Sequence, residues 1–370
     1  MVDTGNPNPL TPPGGAALEA SLEAIARAVA GWRESEVVAA KARGVIIGYH
    51  ARWARSGWKA VLVRPVFHLP IVNPPTGYRS KTFTQAGRCD GVVVRDRREW
   101  LLESKTVGEE IDRRDAPFWR RLAVDTQTDT YAQARLQQGR PVAGILYDVL
   151  RRPQVKPRVV PKGNPKRTDP ENVGTRLELQ RRKTYFGWPV DPREREGVFQ
   201  GDGRETPALY SARIAADTIR RPGWYFQRRA VQRSEEQLAR HRRDLWQTAV
   251  EIRLARRAGR HYANSDACMA YGRPCPYLAI CSGRDTPDSD RWEPAESLHP
   301  ELADELGDAD PQSVLTHTRM QCFKLCRRRH YYRYDLGIVP VEHPLGETLR
   351  FARVIRQALA AWWRNLEPTG

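Results

Sequence analysis

Apolar residues recur along this 370-residue chain in more than one rhythm. Between 16 and 53, Ala, Leu and Ile are interleaved with Glu and Arg, and the stretch predicts helices. From 59 to 70 the pattern tightens, with Ala60-Val61-Leu62-Val63 at its heart, and predicts a strand. Asn73-Pro74-Pro75-Thr76-Gly77 is turn chemistry. Two stronger strands follow, over 87–95 around Val92-Val93-Val94 and over 99–105 around Trp100-Leu101-Leu102. The short polar link between them, Arg95-Asp96-Arg97-Arg98, makes the pair a hairpin. A helix is predicted over 117–138 and a more buried strand over 142–150. Hairpin, helix, strand is the order of an α/β sandwich built on a mixed sheet.

The remaining chain divides by composition. Residues 1–15 are rich in Pro, Gly and Asn and read as a disordered tail. Residues 16–150 hold the predicted core, and 151–205 a basic, proline-bearing insertion read as extended. Within the insertion Arg151, Arg152, Lys162 and Lys166 could follow a nucleic-acid backbone, or could simply be solvated. Residues 206–284 predict a helical lobe that bears cysteines, with Leu238, Leu245 and Ile252 spaced by sevens on a long helix over 230–257. An acidic linker over 285–312 leads to a basic and aromatic segment over 313–370.

Charge sharpens this picture. A formal net charge of +17 favours a polyanionic partner, and nucleic acid is the first candidate. No run of about 18 apolar residues predicts a membrane span, and the first residues lack the pattern of a signal peptide, so the expected location is the cytoplasm. Stable disulfides are rare there, and six cysteines in such a chain point to a metal or cluster.

The candidate chemistry lies on the predicted hairpin. Asp90 opens one strand, and Glu103 and Lys105 stand two apart on the next, so both face one side. Two carboxylates at one point suit a hard cation such as Mg²⁺ or Mn²⁺, and a lysine beside them can position water and balance charge on a phosphate. Gln127 and Tyr131, four apart on the predicted helix, share a face that could hold Lys105, the water or a phosphate.

Gly87-x-x-Asp90, Glu103-x-Lys105-Thr106 and Gln127-x-x-x-Tyr131 together resemble the motifs of the RecB-like branch of the PD-(D/E)XK nucleases. The resemblance implies a restriction-endonuclease-like α/β fold and metal-dependent hydrolysis of DNA, of exonuclease type, in repair or recombination. It implies Asp90 and Glu103 as metal ligands, with the Thr106 carbonyl, and Lys105 as the catalytic lysine. It also implies DNA as partner, with a helicase or a second nuclease chain as a further one. The rival readings are a non-catalytic DNA-binding module of the same fold and a zinc-binding protein associated with nucleic acid.

Cys268, Cys275 and Cys281 resemble the C-terminal cysteine triplet that, in iron–sulfur members of this superfamily, joins a fourth cysteine around a [4Fe–4S] cluster. Zn²⁺ is the alternative for such a thiol set. Cys326 is the candidate fourth ligand, followed by Arg327 and Arg328 as candidate phosphate contacts. The segment from Cys326 resembles the one that begins the family's domain, yet here it comes last. In the helix after it, Arg356 stands where the family has a metal-binding histidine, and an arginine does not ligate a metal. Two arrangements fit: a circularly permuted domain, or a degenerate start of a second copy.

Overall fold

The structure, a computed structural model, describes residues 15–32, 35–302, 305–341 and 346–366. The expected tail over 1–15 lies, apart from its last residue, outside the described residues. Two helices, α1 (Ala16–Val29) and α2 (Ser35–Trp53), fill the first predicted helical region. The strand expected over 59–70 is two, β1 (Lys59–Val63) and β2 (Val66–Val72). The break is local: Arg64 takes a positive φ of 55° and Pro65, which has no N–H to donate, follows it. After β3 (Arg79–Arg88), strands β4 (Gly91–Arg95) and β5 (Arg98–Val107) form the expected hairpin. Its two turn residues, Asp96 and Arg97, both have positive φ, the backbone that matches the twist of the flanking strands.

The helix expected over 117–138 is divided into α3 (Pro117–Arg121) and α4 (Thr126–Gln137). Asp125 causes the break, leaving the helical conformation to accept the backbone N–H of Gln127 as an N-cap. Strand β6 (Ile145–Arg151) follows and lies parallel to β5. The insertion differs from the extended segment expected over 151–205. It folds into α5 (Arg176–Arg181), the short pair β7 (Thr184–Tyr185) and β8 (Trp188–Pro189), and α6 (Pro192–Gln200). Apolar residues scattered through it, Val160, Leu179, Tyr185 and Val198, close on Leu209 as a small core. Buried Glu205 bonds the Tyr185 hydroxyl and the Arg213 guanidinium, so part of the positive charge is neutralised inside.

Next come α7 (Pro207–Arg220), α8 (Pro222–Tyr225), β9 (Phe226–Val231) and α9 (Glu235–Ala258). A Ser234–Gln237 capping box starts α9 and left-handed Gly259 ends it. The last elements are α10 (Leu278–Cys281), β10 (Trp292–Pro294), β11 (Val314–Leu315), α11 (His317–Leu325), α12 (Arg327–His330), β12 (Ile338–Pro340) and α13 (Glu347–Arg364). The stretch expected as an acidic linker contributes β10, which pairs with β12.

The main sheet has the order β1-β4-β5-β6-β9, mixed as expected, with only β5 and β6 parallel. Helices α1, α2, α7 and α13 bury one face. Gly48 lets α2 and α7 approach: a Cβ there would lie 2.1 Å from the Thr218 hydroxyl. Residues of α3 and α4, with Phe67, bury the other face. A second sheet, β2-β3-β11, packs against α9 and α11. The 313–370 segment is therefore built into the same body, giving β11 to one sheet and α13 to the cover of the other.

Candidate active site

Asp90 immediately precedes β4, and Glu103 and Lys105 project from β5, in the ladder between β4 and β6. Asp90 is tied to β5 directly, its Oδ2 accepting the Ser104 N–H at 2.8 Å. Glu103 is almost fully buried and forms an ion pair with Lys105, Nζ to Oε1 at 2.8 Å. The Lys105 ammonium also donates to Gln127 Oε1 at 2.7 Å, and the Gln127 amide donates to the Tyr131 hydroxyl at 3.0 Å. Four of the five expected catalytic residues thus form one hydrogen-bonded chain, and Asp90 joins it through the β5 backbone. Gly87 makes room for the end of that chain: a Cβ there would meet the Tyr131 ring at 3.3 Å and Phe67 at 2.6 Å. Thr106 lies one residue beyond Lys105, opposite Leu150.

Three neighbours were not legible in the sequence. Asp125 reaches Lys105 at 3.5 Å while capping α4, so a helix cap doubles as the lysine's second carboxylate. His317, from α11, lies close enough to feel both Asp125 and Lys105. Gln321 Nε2 donates to Thr126 Oγ1 at 3.1 Å, fastening α11 to the start of α4. A cavity of about 900 Å³ runs from His317 and Gln321 past Cys322 to Arg329 and Arg333. The only sequence signal for these contacts was the aspartate before a helical run at 125; the others depend on a segment nearly 200 residues away.

The electrostatics follow from burial. Desolvation pushes Asp90 above the usual carboxylate range, opposed by Arg356, the Ser104 N–H, Lys105 and Arg64. Burial also raises Glu103, to about 7, with Lys105 opposing and Asp90 adding to the rise. Burial pulls Lys105 down, but Glu103 and Asp125 outweigh it and hold the ammonium above its ordinary value. The site therefore has a firmly charged lysine beside two carboxylates that resist being charged together. Arg356, brought there by α13, is the strongest cationic influence on Asp90. His50 is buried in the core and its Nδ1 accepts from Trp362 Nε1 at 3.1 Å.

The donor set at this point suits a hard divalent ion: two carboxylates with raised proton affinity that a cation would relieve. Among the described residues, however, no three or more His, Cys, Asp or Glu side chains are placed to hold a metal ion. The same holds in the cysteine lobe, where Cys268, Cys275, Cys281 and Cys326 nonetheless line a single cavity with Tyr277 and Tyr332. Cys326 Sγ accepts the Asn264 N–H at 3.4 Å, which brings the last cysteine to the loop that holds the first. Their thiol chemistry fits a soft metal or an iron–sulfur centre. Burial raises the Cys275 thiol, and raises Cys322 to about 11.

The expected phosphate contacts do not share one surface role. Lys162 and Lys166 are exposed. Arg151 lies over the Trp224 ring at 3.8 Å, and Arg152 is 3.8 Å from Glu347. Arg327 pairs with Glu251 at 2.7 Å, and Arg328 donates to the His261 carbonyl at 2.6 Å.

The fold and site define a mixed α/β protein with a buried carboxylate–lysine centre at the strand that joins its hairpin to a parallel neighbour. No protein-family model, no curated protein and no solved structure matches the chain. Among the described residues no helix is long and apolar enough to cross a membrane.

Proposed function

We propose that this chain is a metal-dependent DNA nuclease of the RecB-like PD-(D/E)XK type, with a restriction-endonuclease-like core and an iron–sulfur lobe. The observation that carries the reading is the bonded chain Glu103–Lys105–Gln127–Tyr131 with Asp90 locked beside it by Ser104. A buried ion pair of this kind is costly, and a hydrophobic pair would often serve stability as well. A charged lysine held by three partners is what positioning a water against a phosphodiester requires.

Asp90, Glu103 and the Thr106 carbonyl are the ligands for Mg²⁺ or Mn²⁺, which when bound lowers the pKa of water and polarises the scissile phosphate. Lys105 holds the attacking water and faces the developing negative charge, while Gln127 fixes the rotamer of Lys105 and Tyr131 fixes Gln127. The packing of the C-terminal segment into the body, with Cys326 at the triplet and α13 at Asp90, supports the permuted arrangement over a second copy. Cys268, Cys275, Cys281 and Cys326 are then the cluster ligands.

The reading is tested by incubating protein purified without oxygen with end-labelled single- and double-stranded DNA and Mg²⁺ or Mn²⁺. Cleavage is expected for wild type and a loss of at least about 100-fold for Lys105→Ala, the range of a positioned acid–base group. Arg356 beside Asp90 favours one rival, a DNA-binding module without activity. Binding without cleavage by folded, iron-loaded protein would decide for that rival.

A further inference from the structure

At the start of β3, far from Asp90, lies a cavity of about 220 Å³ whose chemistry the nuclease site does not use. Arg79 and Lys81 come from the strand, Arg253 from α9, and the wall between them includes Trp246. Ser80 and Thr82 also line it, the Ser80 hydroxyl accepting the Thr82 and Phe83 N–H groups. No carboxylate is among the lining residues, and among the described residues none of the three cations has a carboxylate partner. The Arg253 Nε is buried without a hydrogen-bond acceptor.

Three cations facing one small space repel one another, and a buried unsatisfied guanidinium nitrogen has its own desolvation cost. Both penalties fall when an anion enters. Two buried guanidiniums elsewhere show the contrast: Arg228 is answered by Asp148 at 3.1 Å, and Arg233 by Asp129 at 2.6 Å. A partly exposed indole beside the cations offers a flat apolar face, which suits a base or sugar next to a phosphate.

We propose that this pocket binds a backbone phosphate of a nucleic-acid strand, at a subsite remote from the cleavage centre. The inference rests on the nuclease reading for the identity of the ligand. Lys81 and Asp90 are nine residues apart along and just beyond one strand, which puts them on the order of 25–30 Å apart at the rise of a β-strand. At about 3.4 Å per nucleotide of a helical strand, the two points span roughly eight nucleotides. The subsite therefore contributes to holding long substrates and leaves the chemical step alone, a uniform binding effect that raises KM without lowering kcat when it is lost.

The experiment measures the affinity of the full chain for a fluorescent 20-nucleotide strand across a salt series, with kcat and KM on the same strand. The variants are Lys81→Ala/Arg253→Ala and, because Lys81 is exposed and its replacement leaves packing intact, Lys81→Glu alone. The double variant is expected to bind at least about tenfold more weakly and to lose about 1 from the salt slope, for the one phosphate no longer neutralised, with KM raised and kcat unchanged. Unchanged affinity and slope in both variants overturn the proposal, whatever the protein cleaves. Loss of inorganic phosphate binding with strand affinity intact makes the pocket an ion site and overturns it too. The two readings separate cleanly: a wild type that binds the strand through this pocket but never cleaves sinks the nuclease alone. Cleavage abolished by Lys105→Ala but indifferent to Lys81 and Arg253 sinks the subsite alone.

Discussion

At the scale of single residues, two of the buried charge clusters have different outcomes. Asp148 and Arg228 are fully paired in the core, with Tyr49 bonded to both and the guanidinium ringed by Trp53, Trp362 and Trp363. The carboxylate, the guanidinium and the phenol hydroxyl answer one another, as a fixed structural tie between β6 and β9 needs. Glu103 is different: it has Lys105, but Asp90 stands near and burial lifts its carboxyl to about 7. Its folded pKa lies above the 4.5 of an ordinary glutamate, so the folded protein holds a proton through that window and the unfolded chain does not. Stability of the metal-free protein should then fall as pH rises from about 4.5 to about 7, by on the order of 1–3 kcal/mol, and level off above. Glu103→Gln should flatten that slope. Urea midpoints in EDTA across the range check it, and an equally steep slope in the variant would sink the assignment.

At the scale of elements, α13 matters more than its place at the end suggests. Its apolar stripe, Phe351, Val354, Ile355, Leu359 and Trp362, is buried against α1, α2 and the sheet, and its exposed edge carries Arg356 toward Asp90. The surface it covers was not legible in the sequence, because periodicity gives a helix its face and not its partner. Trp362→Ala should cost about 3–5 kcal/mol, the range for emptying a large core site, and should also disturb His50, which accepts its indole N–H. Denaturant unfolding measures the first. A cost under about 1 kcal/mol would show that α13 is not part of the cooperative core. The hairpin around Asp96 and Arg97 was legible because two polar residues between apolar runs leave few alternatives. The broken helix at Asp125 was not, because capping competes with helix continuation on terms that only the packed context decides.

At the scale of the whole molecule, the cysteines bring distant chain together. Cys268, Cys275 and Cys281 sit within one loop, whereas Cys326 returns after β10 and β11 to line the same cavity. If the lobe holds an iron–sulfur cluster, Cys326→Ser should strip most of its iron and acid-labile sulfide. Cys89→Ser, at a thiol buried beside Asp90, should keep both. Equal iron in the two variants would count against Cys326 as a ligand, and zinc in place of iron would turn the lobe to the alternative metal. The net charge of +17 belongs to this scale as well. Part of this excess gathers in the pocket of Arg79, Lys81 and Arg253, whose lining holds no carboxylate and which charge counting alone could not locate.

The sequence by itself determined the elements with strong local chemistry and the order of the candidate motif. Asp90, Glu103, Lys105, Gln127 and Tyr131 were readable because strand and helix periodicities put each on a known face. Only the tertiary structure decided what met them: Asp125 at the lysine, His317 and Gln321 from α11, Arg356 from α13, and a small folded lobe where an extended basic stretch was expected. The physical reason is the same in each case. Local pattern fixes which side of an element is buried, whereas the partner that buries it is chosen by packing and by the pairing of charge across hundreds of residues, neither of which leaves a periodic trace in the chain.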